Sequence, residues 1–305
     1  MLFRSLSIQR VTKTFGSYTA VDDIDLEVKQ GEIFGFLRPN GAGKSTTIRL
    51  LLDILRPDSG SIEILGISNR QTAALHHDIG YLSGDMTLDD DLTGRQYLDF
   101  INNLHGGSFR RPLKVLAEVL EADLTKTIGA YSRGNRQKIA LIAALLHNPK
   151  LLVLDEPTTG FDPLIQEKFA EIIREYVAHG GTVFMSSHML GEVQNLCDRV
   201  AFIKSGRIVA THSIHELLEV AAKRVTVTAG KKTLDDLIKR AGERAGLSVL
   251  DQEHGRVEFS YRGDIQPLLR FFAAKKLDDI TIREPELEEI FGQFYETSPA
   301  ETRHA

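Results

Sequence analysis

Residues that could bind phosphate follow directly on a strand-like run near the N-terminus. After GEIFGFL the chain reads RPNGAGKSTTIRLLLDIL, in which Gly41 and Gly43 would allow a tight turn before a helix. A phosphate site needs backbone N–H groups that converge on the anion and a helix whose N-terminus points the same way. In this pattern Lys44 can reach the β- and γ-phosphates of a nucleotide, and the hydroxyl of Ser45 is placed to ligate Mg²⁺.

The phosphate pattern departs from its usual form at one position. The spacing G-x-x-x-x-G-K-[ST] expects glycine at position 38, where this chain has Arg38. The plain alternative is a glycine-containing turn that opens an ordinary helix. The strand before the loop and the helix after it favour phosphate binding.

A second chemical motif closes an apolar run later in the chain. LLVLDEP has the composition of a buried strand that ends in two acids. Asp155 can organise Mg²⁺, directly or through water, and Glu156 can polarise an attacking water as a general base. Alone, the motif would more readily be a strand that ends in a solvated acidic turn. The phosphate loop, expected on a neighbouring strand of the same sheet, favours the chemical interpretation.

The order of these motifs resembles an ABC-type nucleotide-binding domain, and the resemblance covers residues 1 to about 220. The segment YSRGNRQK is similar to the family signature LSGGQ: Ser132 and Gly134 match, whereas Tyr131, Arg133 and Asn135 depart from it. In the family this segment contacts the γ-phosphate held by a second subunit. The resemblance therefore implies a dimer with ATP between its two copies.

Three further positions acquire a role only through the resemblance. TTGFDP places Asp162 in the family's D-loop near the dimer seam, and SSH places His188 at the switch histidine that contacts the γ-phosphate. VTKTFG places Phe15 at the aromatic that stacks on adenine, with Tyr18 as a weaker candidate. Without the resemblance, His188 would be an ordinary structural histidine and Phe15 a core residue.

The glutamine that the family has at the end of a strand like IGYL is replaced here. The stretch reads IGYLSGDM, with Gly84 at the glutamine position and Asp85 next. Glycine cannot ligate metal through a side chain. Either Asp85 or a water takes its place, or the coupling to the partner differs in detail.

The resemblance thus implies a complete set of site residues. The nucleotide-binding residues are Phe15, Arg38, Pro39, Asn40, Gly41, Ala42, Gly43, Lys44, Ser45, Thr46 and Thr47. The catalytic groups are Lys44, Glu156 and His188, and the metal-binding groups are Ser45 and Asp155. The segment that acts on the other subunit's nucleotide is Ser132, Arg133, Gly134 and Asn135.

The elements that must position these residues alternate in type over the first two thirds of the chain. SLSIQRV, IDLEV and GSIEIL read as strands, and LLVLDEP and TVFMSS read as buried parallel strands. Between these last two, LIQEKFAEIIREYVAHGG has helical spacing, with Gly180 where the helix should end. The pattern predicts an α/β fold, a P-loop NTPase of ABC type with a mixed sheet core and a helical signature subdomain.

The chain changes character near Ala222. From there strand-like and helix-like runs follow in the order β-α-β-β-α-β-α, which predicts a small accessory α+β domain of ferredoxin-like order. We therefore expect three parts: an ATP-binding domain at 1–221, the accessory domain at 222–296, and a flexible tail at 297–305.

Bulk composition limits the partners of the chain. The 305 residues are 42% apolar and 26% charged with a net charge of −5, which gives no electrostatic reason to expect nucleic acid as a partner. The single Cys197 rules out an intrachain disulfide. The N-terminus does not read as a signal peptide, and no run of about 18 apolar residues predicts a spanning helix. Any membrane role would therefore come through another subunit.

The resemblance implies a Mg²⁺-dependent ATPase that powers a transporter. GFL…PNGAGKSTTIRLLLDILRPDSG, followed by LTG and a C-terminal extension with EPELEEIF, looks like bacterial drug- and multidrug-type exporters. Such a subunit works as a homodimer or heterodimer at the cytoplasmic face of the membrane, beneath a separate integral-membrane permease. Its docking face would include Leu88, Leu92, Tyr97 and Phe100, which could equally pack inside the helical subdomain.

Two other functions fit the residues. One is a soluble ABC-type ATPase that acts on ribosomes or DNA, although such proteins usually carry two nucleotide domains or a long coiled coil. The other is a weakly hydrolysing half of a heterodimer, which Arg38, Gly84 and the altered signature would explain. The presence of Glu156 and His188 argues against the second.

Overall fold

The computed structural model divides the chain into two compact units, one ending at His212 and the other beginning at Ser213. It describes residues 4–37, 44–71, 75, 77–84, 87–242, 246–287 and 290, with the backbone alone at 44, 110 and 220. The division falls one short helix before the change in character at Ala222, because that helix belongs to the second unit.

The first unit contains two sheets and the helices that cover them. Its strands are β1 (Arg4–Phe15), β2 (Tyr18–Lys29), β3 (Ile33–Leu37), β4 (Ser59–Ile64), β5 (Ile67–Ser68), β6 (Ile79–Leu82), β7 (Leu151–Asp155), β8 (Thr182–Ser187), β9 (Arg199–Lys204) and β10 (Arg207–Ser213). Its described helices are α1 (Lys44–Leu51), α2 (Gly94–Leu104), α3 (Arg110–Val119), α4 (Arg133–Leu145), α5 (Pro163–Ala178) and α6 (Leu190–Leu196), with a 3₁₀ turn at Ile128–Ala130.

The larger sheet has six strands in the order β10-β9-β3-β8-β7-β6. Every residue of β3, β7 and β8 is buried, as expected for parallel strands covered on both faces. The prediction that β7 neighbours the strand before the phosphate loop is wrong: β8 pairs with both and separates them. The reason is the crossover through α5, which carries the chain from β7 to the strand position beside β3.

The smaller sheet is antiparallel, with the order β2-β1-β4-β5. It contains the predicted strands SLSIQRV, IDLEV and GSIEIL. Its apolar side chains join those of α1 and of the six-stranded sheet in one core that includes Leu6, Ile48 and Phe184. The sheets are also linked by a hydrogen bond of 2.8 Å between the hydroxyls of Ser5 and Thr182.

The predicted strand–helix–strand unit is present as β7, α5 and β8. Asp162 caps the start of α5 by accepting a hydrogen bond of 3.0 Å from the N–H of Ile165, and Pro163 occupies the first turn. His179 is the cap residue at the other end, and Gly180 follows it with a φ of 94°. The glycine thus lies one residue beyond the cap, where a left-handed conformation is usual.

The second unit has its own core and sheet. It consists of α7 (Ile214–Val220), β11 (Lys223–Thr228), α8 (Lys231–Ala241), β12 (Leu247–Glu253), β13 (Arg256–Tyr261), α9 (Ile265–Ala273) and β14 (Asp279–Arg283). The strand order β12-β13-β11-β14, antiparallel throughout, is that of a ferredoxin-like sheet. Most of the predicted last helix, LEEIFGQFY, and the whole tail at 297–305 lie outside the described residues.

Candidate functional site

Three of the predicted site residues, Asp155, Glu156 and His188, lie at one edge of the six-stranded sheet. β3, β8 and β7 run parallel, so their carboxyl ends meet there, as is usual for ligand sites in parallel sheets. α1 begins at Lys44, soon after β3 ends at Leu37. The predicted residues Arg38, Pro39, Asn40, Gly41, Ala42, Gly43 and Asp85, and the side chain of Lys44, lie outside the described part.

The first turn of α1 supplies the described part of the predicted phosphate site. Ser45 is exposed, Thr46 is half-buried, and Thr47 is buried within the core. Ser45 is therefore free of packing that would turn its hydroxyl away from a ligand. Since Thr47 is only 1% exposed, it secures the helix to the sheet rather than offering a contact surface.

The two aromatic candidates for adenine stacking face each other across the turn between β1 and β2. Phe15 pairs with Tyr18 in the antiparallel register, and both side chains are about half exposed, at 47% and 54%. Phe15 is thus not a core residue. The ammonium of Lys13 lies 5.6 Å from the Phe15 ring centroid and is held by an ion pair with Asp58 at 2.8 Å.

Asp155 ends β7 as a buried carboxylate, 6% exposed. Its Oδ1 accepts a hydrogen bond of 2.5 Å from the Ser186 hydroxyl on β8. Its Oδ2 faces Gly84: a Cβ at that glycine would stand 3.1 Å from the oxygen. The altered position thus lies directly against the predicted magnesium-binding carboxylate.

These groups fit a magnesium ion that is bound mainly by the substrate. Magnesium prefers one or two protein oxygens together with phosphates and water. Asp155 supplies a carboxylate whose Oδ2 faces Gly84, and Ser45 supplies an exposed hydroxyl. Among the described residues, His, Cys, Asp and Glu side chains form no group of three that could enclose a metal alone.

Glu156 follows Asp155 in a backbone conformation that side chains rarely adopt, with a φ of 51°. Its N–H donates to the carbonyl of Ser186 at 3.1 Å and to the hydroxyl of the same serine at 3.2 Å. These bonds hold the turn. The Oε2 of Glu156 lies 3.5 Å from Nδ1 of His188, so the structure brings the predicted base and switch histidine together.

Gln137, which sequence reasoning missed, stabilises the backbone of this turn. Gln137, on α4, is 2% exposed and donates through Nε2 to the carbonyls of Glu156 at 3.1 Å and Pro157 at 2.9 Å. It ties the helix that follows the signature to the end of β7. The signal available was a polar residue at a core-facing helical position, because a buried amide must find partners.

The signature segment begins α4. Ser132 is the N-cap and accepts a hydrogen bond of 3.3 Å from the N–H of Asn135. The Asn135 amide bonds to the backbone of Asp123, accepting from its N–H at 3.0 Å and donating to its carbonyl at 3.1 Å. The Tyr131 hydroxyl also donates to the Asp123 carbonyl and accepts from the N–H of Gly94 at 3.2 Å. Two departures from the family pattern thus have partners within the chain.

The signature and the D-loop are in contact. A Cβ added at Gly134 would stand 2.6 Å from the carbonyl oxygen of Gly160, closer than real side-chain atoms come. Gly160 itself has a φ of 85°. Asp162, two residues on, uses its carboxylate to cap α5. Of the predicted signature residues, Arg133 is exposed on the first turn of α4.

The predicted docking face borders a groove of about 270 Å³. Leu88 and Tyr97 line it, Leu92 is half-buried, and Phe100 is 54% exposed. Two histidines, His105 and His147, also line the groove, with their rings stacked at 3.9 Å. Burial, and then the charge of the neighbouring ring, lower the pKa of His147 to about 4.

Comparison with known proteins places the fold and the site in a family context. A family model described as ABC transporter matches residues 21–159. The chain is 32% identical over 308 residues to the Daunorubicin resistance ATP-binding protein DrrA3 of Streptomyces coeruleorubidus, with 94% of both chains covered. It is 33% identical over 300 residues to the Nod factor export ATP-binding protein I of Rhizobium sp. (strain N33), which covers 94% of this chain and 95% of that protein.

A solved structure agrees with these relatives. An ATP-binding subunit of an ABC transporter matches with a TM-score of 0.65 at 26% identity, and covers 71% of this chain and 92% of that one. In the part of the chain that the structure describes, no helix is both long and apolar enough to cross a bilayer.

Proposed function

Because the chain belongs to the ABC transporter family, as an ATP-binding protein, we propose that it hydrolyses Mg·ATP to drive export through a separate membrane permease. The observation that carries the proposal is the meeting of Asp155, Glu156 and His188 at the carboxyl edge of the sheet, beside the start of α1.

The proposed hydrolysis uses the groups at this edge in distinct roles. The nucleotide lies on the first turn of α1, with Lys44 on its β- and γ-phosphates and Phe15 or Tyr18 against the adenine. Asp155 and Ser45 would hold magnesium, which would supply positive charge against the phosphates. Glu156 takes the proton of the attacking water, and His188 contacts the γ-phosphate.

We propose that the chain acts as a dimer. Ser132 and Gly134 of one copy would contact the γ-phosphate bound by the other, so that ATP favours the closed dimer and hydrolysis removes that preference. Asp162 lies near the seam. The partner copy is either this chain or a related subunit. Closure and reopening would move the attached permease between its two faces.

We propose that the permease docks at the groove lined by Leu88 and Tyr97 and at the exposed Phe100, and that the chain acts at the cytoplasmic face of a membrane. Export is favoured by the relatives, whose names state resistance to daunorubicin and export of Nod factor. Both alignments extend through the second unit, which we propose contributes dimer contacts or regulation. The alternative of an ATPase on ribosomes or DNA has no support among these relatives.

The test is to tag the chain, isolate it from detergent-solubilised membranes, identify its companions by mass spectrometry, and measure ATP hydrolysis with and without Mg²⁺. A polytopic membrane protein in stoichiometric amount, together with Mg²⁺-dependent hydrolysis, is the expected result. Ribosomes, DNA or no companion at all would contradict the transport proposal. Hydrolysis that is independent of Mg²⁺ would contradict the roles given to Asp155 and Ser45.

A further inference from the structure

Glu192 lies in the first turn of α6, close behind His188, and its carboxyl group is enclosed by the protein. Its Oε2 accepts a hydrogen bond of 2.6 Å from the Ser187 hydroxyl. Its Oε1 is buried and, among the described residues, has no hydrogen-bond partner of ordinary geometry. Burial of a carboxyl group costs free energy unless hydrogen bonds compensate for the lost water, so the groups around Glu192 are informative.

The first connection of Glu192 leads to His188. Ser187 is 2% exposed, and its hydroxyl oxygen also accepts a hydrogen bond of 3.0 Å from the N–H of Met189. Ser187 and Met189 are the two residues that flank His188. The Ser187 hydroxyl, held by Glu192, thus spans the turn from which the His188 side chain projects.

The Thr158 hydroxyl, near Glu156 in the chain, also influences the carboxyl group of Glu192. Burial raises the pKa of Glu192, while the hydroxyls of Ser187 and Thr158 and the His188 ring act to lower it. Thr158 is 5% exposed and follows Glu156 after a single proline. Its carbonyl accepts from the N–H of Phe161 at 2.9 Å, so the segment it belongs to is a formed turn.

Glu192 therefore lies near two turns, which are also joined where the N–H of Glu156 donates to the carbonyl and the hydroxyl of Ser186. One turn carries His188 at the end of β8, and the other carries Glu156 at the end of β7. Their functional atoms, Nδ1 and Oε2, lie 3.5 Å apart. A shift of about 1 Å in the distance between two catalytic groups lowers the reaction rate, because a misplaced group no longer meets the reacting atoms.

We propose that Glu192 is a positioning residue that holds His188 against Glu156, acting through the hydroxyl of Ser187. The proposal rests on the proposed ATP hydrolysis and assigns the residue that aligns its two groups. Glu192 itself touches neither the nucleotide nor the attacking water.

The experiment measures steady-state ATP hydrolysis by the full chain, together with any membrane subunit that accompanies it, in Glu192→Ala and Glu192→Gln. We expect kcat to fall about 10- to 100-fold in Glu192→Ala, with KM for ATP changed less than about 2-fold, as for loss of an alignment that matters in the transition state. Glu192→Gln keeps the volume and one acceptor oxygen, so its kcat should be intermediate. The matched control is Glu171→Ala, an exposed glutamate on α5.

A double variant separates positioning from mere stability. If Glu192 acts through His188, removal of the histidine should remove most of what Glu192 contributes. His188→Ala combined with Glu192→Ala should then be within about 3-fold of His188→Ala alone, whereas independent effects would multiply. The thermal unfolding midpoint of each variant shows whether it is folded at the assay temperature. If Glu192→Ala does not fold, Glu192→Gln takes its place in the cycle.

The outcomes are distinct. Parental kcat in a folded Glu192→Ala, a change confined to KM, or fully multiplicative effects in the double variant would overturn the positioning role and leave the proposed function intact. A parental chain that binds and hydrolyses no ATP would overturn the proposed function, and the positioning role with it.

Discussion

Nδ1 of His188 and Oε2 of Glu156 lie 3.5 Å apart, at the ends of two adjacent parallel strands. The two residues are far apart in sequence, and β7 and β8 bring them together because those strands pair in register, Asp155 with Ser186. This relationship leads to the first prediction.

Replacement of Glu156 by glutamine removes the proposed general base but keeps its size. We expect hydrolysis to slow at least about 100-fold, the lower range of general-base contributions, while ATP still binds and closes the dimer. Size-exclusion chromatography with ATP should show an accumulated dimer. Glu171→Gln is the control. Hydrolysis by Glu156→Gln at the parental rate would remove the role given to this residue.

Replacement of Lys44 by alanine tests the phosphate loop. Loss of a hydrogen bond from a charged donor to phosphate costs about 1.5–3 kcal/mol, so affinity for ATP should fall roughly 10- to 100-fold. Calorimetric titration of the folded variant measures this directly. Lys231→Ala, at an exposed lysine of the second unit, should bind as the parent does. Unchanged affinity in Lys44→Ala would refute the phosphate site.

Replacement of Gly84 by alanine should disturb the magnesium site. The new Cβ would stand 3.1 Å from Oδ2 and 3.3 Å from Cγ of Asp155, so the carboxylate must shift. We expect the Mg²⁺ concentration for half-maximal hydrolysis to rise severalfold, with little change in ATP affinity measured in EDTA. Gly230→Ala, where an added Cβ meets nothing within 4 Å, is the control. An unchanged Mg²⁺ dependence would show that Asp155 is not a ligand.

Replacement of Gly134 by alanine should separate ATP binding from dimer closure. The Cβ would press on the Gly160 carbonyl at 2.6 Å and displace the signature from the D-loop. Each subunit should still bind ATP, since Lys44 and α1 are untouched, but the ATP-dependent dimer should be lost. Light scattering with ATP reports this. Gly242→Ala, with its nearest contact at 3.7 Å, is the control. A normal ATP dimer would contradict the role of this contact.

Acid should destabilise the first unit through His147. Its pKa is lowered to about 4 by burial, then by the His105 ring, whereas the Ile79 carbonyl and Asp78 oppose the shift. As pH falls from about 6.5 towards 4, the unfolded chain takes up a proton that the folded chain refuses, so the free energy of unfolding falls. Above about pH 6.5, His147 adds no pH dependence to the free energy of unfolding.

The magnitude is on the order of 1–2 kcal/mol at the acid end, since partial exposure screens the shift. The midpoint of thermal unfolding should therefore drop less between pH 7.5 and 5 in His147→Phe, which keeps the stacked ring, than in the parent. His215→Phe, at an exposed histidine, should behave as the parent does. Equal drops in the parent and His147→Phe would show that His147 does not carry the effect.

The sequence predicts the fold class because its motifs occur in one order, and the phosphate loop, the acidic pair and His188 each follow a strand. It also predicts the ferredoxin-like second sheet, since right-handed crossovers leave a β-α-β-β-α-β run few alternative strand orders. It does not predict that β8 separates β3 from β7. That arrangement depends on where the crossover through α5 returns, and short buried runs such as LLVLD and TVFMSS contain no register signal of their own.

Contacts between distant segments are likewise hidden from the sequence. Gln137 supports the carbonyl of Glu156, and the carboxylate of Asp155 occupies the space beside Gly84. In each of these contacts, neither residue type is unusual at its position in the sequence. Local patterns indicate which residues are polar or small, whereas only the packed chain shows what each one faces.

Because Gly134 contacts Gly160, the signature and the D-loop cannot be exchanged independently of each other. A chimera that takes its signature from one relative and its D-loop from another would combine backbones shaped against different neighbours. If either donor carries a side chain at its position, the two grafts would collide at the carbonyl of Gly160 although each fits its own parent. Recombination between relatives of this chain should therefore yield working proteins mainly when the crossover lies outside residues 134–160.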